Sequence, residues 1–367
     1  MLINKKNLGF FSKTIMIANL IAIGALLLCY SASFINPKSF WAIAFLGLGY
    51  LPILLINIGF VCYWILRKAK YSLFSLIAIL LGWNLMTKHV AFNSVIENKP
   101  DSALRVMTYN VHMLQPLEKT DVPAKDQFVD IIQEANPDVL CVQEFSSTIR
   151  GKKKFTETVQ KKNNFENFYF APSEQNDYSA YGQAIFSKYP IINSGLIKKN
   201  EYGINRVIYV DIVKNLDTIR VYNVHLRSFG LQSEDKEFIQ NPSSTGNEEQ
   251  KTKQVGRKLK WAFEQRSNQA ESLAEHMQET HYPKIVMGDF NDTPMSYSVN
   301  LIGKNMKNAF QEKGNGWGVT HFEMLPILQI DYIFADKRFS VSNYQVLKKK
   351  LSDHYPVFAD LSLQQIN

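Results

Sequence analysis

The chain has 367 residues, 46% of them hydrophobic and 20% charged, which excludes a disordered or collagen-like polypeptide. Its net charge of +8 is unevenly placed: residues 1–102 carry nine Lys or Arg against two Asp or Glu, leaving 32 basic and 31 acidic residues behind them. The positive balance therefore belongs to the front quarter, and the rest, near neutrality, advertises no nucleic-acid groove.

The front of the chain comes first. Uncharged runs of 24, 28 and 17 residues separate Lys13 from Lys38, Lys38 from Arg67, and Lys70 from Lys88. At about 1.5 Å per residue they reach roughly 36, 42 and 26 Å, against a hydrocarbon core of about 30 Å. The pattern predicts an N-terminal region, 1–95, with three transmembrane helices at about 14–35, 40–66 and 71–92. The basic residues Lys5, Lys6 and Lys13 before the first run, and Arg67, Lys68 and Lys70 after the second, put both places on the cytoplasmic side. Three crossings then set the remainder on the periplasmic or exterior face of a bacterial inner membrane; two would leave it in the cytoplasm. The first run is too long for the apolar stretch of a cleaved signal peptide. Cys29 and Cys62 fall in these runs and Cys141 stands alone behind them, so no disulfide framework and no redox compartment follow.

Residues 96–102, with Asn98-Lys99-Pro100-Asp101, read as a linker to a catalytic domain at 103–367. There the texture changes to short β-rich runs, predicting strands at 104–111, 138–144, 168–171, 183–187, 207–213, 219–226, 284–290, 330–334, 341–347 and 357–363. Phe128, Ile131, Ile132 and Ala135 recur at helical spacing and stop at Asn136-Pro137, and a second helix over about 253–280 sets Leu259, Phe263, Ala270 and Leu273 on one face. Many strands with a few long helices predict an α/β four-layer sandwich: two face-to-face mixed β-sheets flanked by helices, preceded by the three-helix region. The polar stretch 229–253 reads as a mobile surface loop.

Hydrogen-bonding residues close otherwise apolar strands again and again. Asn110 ends LRVMTYN, Glu144 ends DVLCVQE, His225 lies in VYNVHL, Asp289 and Asn291 in IVMGDFND, Asp331 in QIDYIF, and Asp353-His354 in LSDHYPVF. Any one alone is a cap or a satisfied core group. Strand ends on one edge of a sandwich converge, however, and convergent carboxylates, amides and imidazoles stay unpaired unless a cation or substrate joins them. Oxygen donors of this kind suit a hard cation such as Mg²⁺, with Mn²⁺ as a possible substitute, and no Cys or His pair has zinc-ligand spacing. A hard cation beside two histidines and further carboxylates is equipment for phosphoester hydrolysis.

Seven motifs, TYNV (108–111), VQE (142–144), YGQAIFSKYPI (181–191), NVHL (223–226), GDFND (288–292), IDYIF (330–334) and SDHYP (352–356), resemble in content and order those of the endonuclease/exonuclease/phosphatase superfamily. The resemblance covers almost all of 103–363 and none of the N-terminal region. It implies that Glu144 is the principal metal ligand, with Asn110 completing the site and Asp353 supporting the metal from behind. Asp289 is implied to position and polarise the attacking water, Asn291 to donate to a phosphoryl oxygen, and His354, oriented by Asp331, to stabilise charge on the phosphate. His225 is placed near the leaving oxygen.

Two substrate-side residues are weighed on their own. Arg206 can contact a phosphate or make a surface salt bridge. Trp317, in the glycine-rich GNGWGVTH (314–321), can stack on a substrate, touch lipid or simply pack in a turn. Gln329 stands where relatives often carry Arg, which is expected to remove a cation from the rim of the site. The expected partners are a phosphoester, either a lipid head group or nucleic acid, and the lipid bilayer; no protein partner can be named. The leading expectation is a membrane-anchored Mg²⁺-dependent hydrolase, with an extracellular or periplasmic nuclease and a non-catalytic membrane scaffold as the alternatives.

Overall fold

The computed structural model describes residues 9–94, 99–100, 102–115, 121–149, 154–241, 248–323 and 328–364. Part of the expected linker, 96–98 and 101, lies outside them, as does residue 95. Two compact units emerge: Met1–Met86 with Met295–Tyr297, and Thr87–Pro294 with Ser298–Asn367.

The first unit is helical, with α1 (Phe10–Ser31), α2 (Ala42–Leu48), α3 (Tyr50–Lys68), a 3₁₀ turn at Ala69–Tyr71, α4 (Ser72–Leu81) and α5 (Trp83–Met86). Its pattern is inverted relative to a water-soluble bundle. Ile21, Leu55 and Leu81 point outward, while Asn19, Asn57 and Ser75 are fully buried. Two stretches are long and apolar enough to cross a bilayer, Phe10–Ser31 and Tyr50–Leu81. The second is not one rod: Lys68 leaves helical geometry (φ −157°, ψ 86°) and Arg67, Lys68 and Lys70 sit at the break, so α3 supplies its crossing length. Among the described residues two stretches, rather than the three expected, reach full crossing length. The helix expected over 71–92 ends early because Gly82, packed on the Tyr30 ring with no room for a Cβ, separates the ten-residue α4 from the four-residue α5. Residues 87–94 belong to the other unit, where Thr87 accepts a hydrogen bond from Gln311.

The second unit runs β1 (Val90–Phe92), β2 (Leu104–Asn110), a 3₁₀ turn at His112–Leu114, α6 (Ala124–Ala135), β3 (Val139–Thr148), α7 (Phe155–Lys162), β4 (Asn167–Gln175), β5 (Ser179–Ser187), β6 (Ile191–Leu196), β7 (Val207–Lys214), β8 (Asp217–His225), α8 (Ser233–Gln240) and α9 (Glu248–Gln278). It continues with β9 (Lys284–Asp289), α10 (Tyr297–Ile302), β10 (Met306–Asn308), α11 (Ala309–Lys313), β11 (Asn315–Trp317), β12 (Asp331–Asp336), β13 (Phe339–Val346) and β14 (Val357–Leu363). Two six-stranded mixed sheets form, in the orders β10-β12-β9-β8-β7-β6 and β13-β14-β2-β3-β5-β4, and β1 pairs with β11. Val106, Cys141, Ile208, Val221 and Ile285 meet between the sheets. Each large apolar side chain so buried contributes about 1.5–3 kcal/mol. A second cluster packs α6 and α7 on the outer face of one sheet, and a third packs Ala270 and Leu273 of α9 on the other. The four layers anticipated from sequence are these.

Each sheet has one parallel pair, β2 with β3 and β8 with β9. Parallel strands deliver their carboxyl ends to the same edge, where α/β folds gather ligand-binding groups. Asn110, Glu144, His225 and Asp289 are delivered there. The stretch 229–253 is not a plain loop: it contains α8, capped where Gln232 N–H donates to Asp235 (2.9 Å), and the first turns of α9, while 242–247 lie outside the described residues.

Candidate active site

Asp289, at the end of β9, is the hub. Its Oδ2 accepts hydrogen bonds from the amides of Asn110 (3.0 Å) and Asn291 (3.1 Å), and its Oδ1 accepts from the Asn291 backbone N–H (2.8 Å). Antiparallel register puts Asp331 of β12 opposite Asp289, and Asp331 Oδ2 holds His354 Nδ1 at 2.9 Å. His354 Nε2 then lies 3.7 Å from Asp289 Oδ2. Glu144 reaches the same place through a bulge in β3: its φ of +54° and the register shift between Val142 and Phe145 turn the carboxylate inward. There Glu144 accepts from Tyr181 OH (3.2 Å), and Asn110 Nδ2 lies 3.5 Å away. Asn110, Glu144, Asp289, Asn291, Asp353 and His354 all line one cavity of about 280 Å³.

Burial raises the Asp289 carboxyl above its ordinary range and the Asp331 charge adds to this, against the opposing pull of His354, His225 and the Asn110 amide. Burial disfavours protonated His354, but the Asp331 and Asp289 charges and the bond to Asp331 outweigh it and push its pKa up to about 10. Asp353 also feels burial, yet His321, His354 and His112 hold its carboxyl well below the usual carboxylate range. The two carboxyls are thus pushed in opposite directions, Asp289 up and Asp353 down, around the charged His354.

His225 stands behind the acids. It is buried, outside the cavity lining, with Nε2 3.7 Å from Glu144 and 3.8 Å from Asp289, and that nitrogen accepts from Asn205 (3.2 Å). Both amide hydrogens of Asn291 are taken, by Leu226 O and Asp289 Oδ2 at 3.1 Å each, so in this arrangement Asn291 fixes Asp289. Arg206 does not enter the cavity: its guanidinium donates to the carbonyls of Gly203 (2.9 Å) and Pro172 (3.2 Å). Trp317 is half exposed on β11, paired with Val90, and is likewise no part of the lining. Gln329 offers nothing to the rim. It is buried against Gly318, whose missing side chain makes room for it.

Several contributors escaped the sequence reading. Tyr181, first residue of a recognised motif, binds Glu144. His112 and His321 line the cavity next to Asp353; the only signals were a His directly after TYNV and another closing the glycine-rich run. Arg266 of α9, fully buried, pairs with Asp292 (2.9 Å), while Tyr332 OH donates to the Asp292 carbonyl (2.8 Å), so two elements clamp the loop that carries Asn291.

The donor chemistry fits a hard divalent cation. Glu144 and Asp289 bring carboxylate oxygens to one cavity, and Asp331 Oδ1 is buried with no hydrogen bond among the described residues. Asp289, Asp331 and His354 offer ligand atoms all within 4.8 Å of one another.

A family model described as the Endonuclease/Exonuclease/phosphatase family matches residues 107–354, and one described as a domain of unknown function (DUF8431) matches residues 12–89. No curated protein matches the sequence. Among solved structures, an endonuclease/exonuclease/phosphatase from Beutenbergia cavernae is similar at a TM-score of 0.52, with 19% identity over 72% of this chain and 72% of that one. The human nocturnin catalytic domain, with bound sulfate anion, is similar at 0.50, with 16% identity over 74% of this chain and 98% of that one. At such identities the likeness is one of fold. The match over 107–354 spans more than half of the chain, which therefore belongs to the endonuclease/exonuclease/phosphatase family and is a phosphoric ester hydrolase.

Proposed function

We propose that this chain is a membrane-anchored, Mg²⁺-dependent phosphodiester hydrolase acting on a lipid head group, with its catalytic unit on the outer side of the membrane. The observation that carries the reading is the convergence of Glu144, Asp289 and His354 on one cavity, with Asp331 behind the imidazole.

Glu144 and Asn110 would hold the ion, with Asp353 nearby. A bound divalent cation supplies charge neutralisation on the phosphoryl oxygens. Asp289 orients the attacking water and draws on its proton; Asn110 and Asn291 fix its direction. His354 donates from Nε2 to a phosphoryl oxygen while Asp331 holds Nδ1–H, a contribution of about 10²–10³ in rate for one well-placed donor. His225 faces both acids from behind, outside the cavity lining.

The inverted helical unit supports the anchor: outward Leu and Ile belong in hydrocarbon, where inward amides must pair with one another. A chain beside a bilayer meets head groups at high local concentration, and the near-neutral region behind residue 102 favours them over a polyanion. In this reading α4 and α5, about 15 and 6 Å long, complete a short third crossing by local thinning and snorkelling.

Full-length protein in detergent, assayed with Mg²⁺ and with chelator against sphingomyelin, phosphatidylcholine, DNA, RNA and phosphomonoesters, tests the proposal. A lipid diester cleaved fastest and only with metal is expected. Faster cleavage of nucleic acid would overturn the substrate, and undiminished cleavage in chelator the mechanism. A carboxyl-terminal reporter should work only outside the cytoplasm; a signal from inside would reverse the topology.

A further inference from the structure

We propose that Lys236 and Glu323 select the substrate's head group at the catalytic cavity, favouring a zwitterionic phosphodiester, with an ammonium beside its phosphate, over an anionic one. This rests on reading the chain as a hydrolase of lipid head groups, and it narrows that reading to one charge class.

Among the described residues that line the cavity, Lys236 of α8 is the one Lys or Arg, set against the carboxyl groups of Glu144, Asp289 and Asp353. Neighbouring cations are committed elsewhere. Arg227 lies over the Trp261 ring, 4.5 Å from its centroid, and Arg266 pairs with Asp292 (2.9 Å). Gln329, buried against Gly318, supplies no charge. The ammonium that meets the non-reacting side of a phosphate therefore comes from α8. Its present partner is Glu323: Lys236 Nζ donates to Glu323 Oε2 at 3.0 Å. Glu323 stands two residues beyond His321, itself part of the lining.

The two charges are carried by separately fixed segments. The ion pair of Asp235 with Lys258 ties α8 to α9, the Gln232–Asp235 cap closes its first turn, and Phe238 is buried. On the other side, the segment before Glu323 is laced to the loop of His354. The Phe322 N–H donates to the Asp353 carbonyl (3.2 Å), the Tyr355 N–H donates to the Thr320 carbonyl (2.7 Å), and the Phe322 ring stacks on Tyr355 with centroids 4.3 Å apart. Backbone bonds thus hold Glu323 near the histidine that faces the phosphate.

The Lys236 and Glu323 side chains are 41% and 42% exposed, and a pair so wet is worth about 0–1 kcal/mol. It opens at little cost. Opening leaves one ammonium and one carboxylate side by side, the complement of a head group with one phosphate and one ammonium. Such a ligand exchanges one weak pair for two, phosphate on Lys236 and ammonium on Glu323. An anionic head group also satisfies Lys236, but it strands Glu323 beside a like charge, which opposes binding.

The test is kcat/KM of the full-length protein in mixed detergent micelles, with Mg²⁺, on phosphatidylcholine, phosphatidylethanolamine and phosphatidylglycerol of one acyl composition. Wild type should favour the two zwitterions by about tenfold, the size of one charged contact. Glu323→Gln should bring all three lipids within about twofold of one another, and Lys236→Gln should lower all three by about tenfold, chiefly through KM, with most of the loss recovered in Lys236→Arg. Equal rates in wild type, or a preference that survives Glu323→Gln, would overturn the selection. Calorimetric titration of the same proteins with glycerophosphocholine and glycerophosphoglycerol measures the preference without turnover. Tighter binding of the zwitterion, lost in Glu323→Gln, with no lipid diester hydrolysed would overturn the proposed function and leave the selection standing. Hydrolysis of lipid diesters without the preference would do the reverse.

Discussion

Two sets of buried polar side chains occupy this chain, and they are paired to very different degrees. In the helical unit, Asn19 donates to Ser75 (2.6 Å) and accepts from Trp64 (2.9 Å), while Asn57 donates to the carbonyls of Ala22 (3.0 Å) and Ile53 (2.9 Å) and accepts from Ser75 (3.3 Å). At the sheet rim, Asp331 Oδ1, His225 Nδ1, His112 Nδ1 and His321 Nδ1 are buried without hydrogen bonds among the described residues. A closed network joins helices and leaves these bonds satisfied. An open one stores unmet bonding capacity, and folding tolerates it where a ligand completes it.

Substitutions at the two sites should separate these roles. The largest effect is expected from Glu144→Gln and Asp289→Asn, which should lower turnover per folded molecule by about 10³–10⁴. Loss of stability with activity retained would invert the comparison. Next, Asp292→Ala should cost about 3–5 kcal/mol in denaturant unfolding, because it strands the fully buried Arg266 guanidinium. Asn57→Ala should cost about 1–2 kcal/mol in detergent-based unfolding and leave turnover per folded molecule unaltered. The smallest effect belongs to Tyr181→Phe, which removes one hydrogen bond to Glu144, worth about 1 kcal/mol or roughly a fivefold drop in turnover.

Much of the rim was legible in the sequence because strand geometry is local. Asn110, Asp289 and Asp331 stand at the ends of β2 and β9 and at the start of β12, as their runs of apolar residues indicated. What escaped depends on the third dimension. The inward turn of Glu144 needs a left-handed residue at a bulge, which no pattern of side chains announces. His112 and His321 are 209 positions apart; the first becomes a neighbour of Asp353 when β2 and β14 pair, the second through its bridge to His354. Arg206 looked available for phosphate, but backbone carbonyls nearby claimed it first. The short strands β1, β6, β10 and β11 lack clear alternation, and α8 uses a Gln-Asp cap weaker as a signal than Ser or Thr with Glu. In the helical unit, length and apolarity were readable, whereas the break at Gly82 depends on the Tyr30 ring.

The most direct measurement is hydrolysis of a chromogenic phosphodiester by the purified full-length chain, followed as Mg²⁺ is removed by chelator and then restored. The account predicts that turnover disappears with the ion, returns with it, and stays absent throughout in Glu144→Gln. Hydrolysis that continues at the same rate without metal, or in the Glu144→Gln protein, would contradict it.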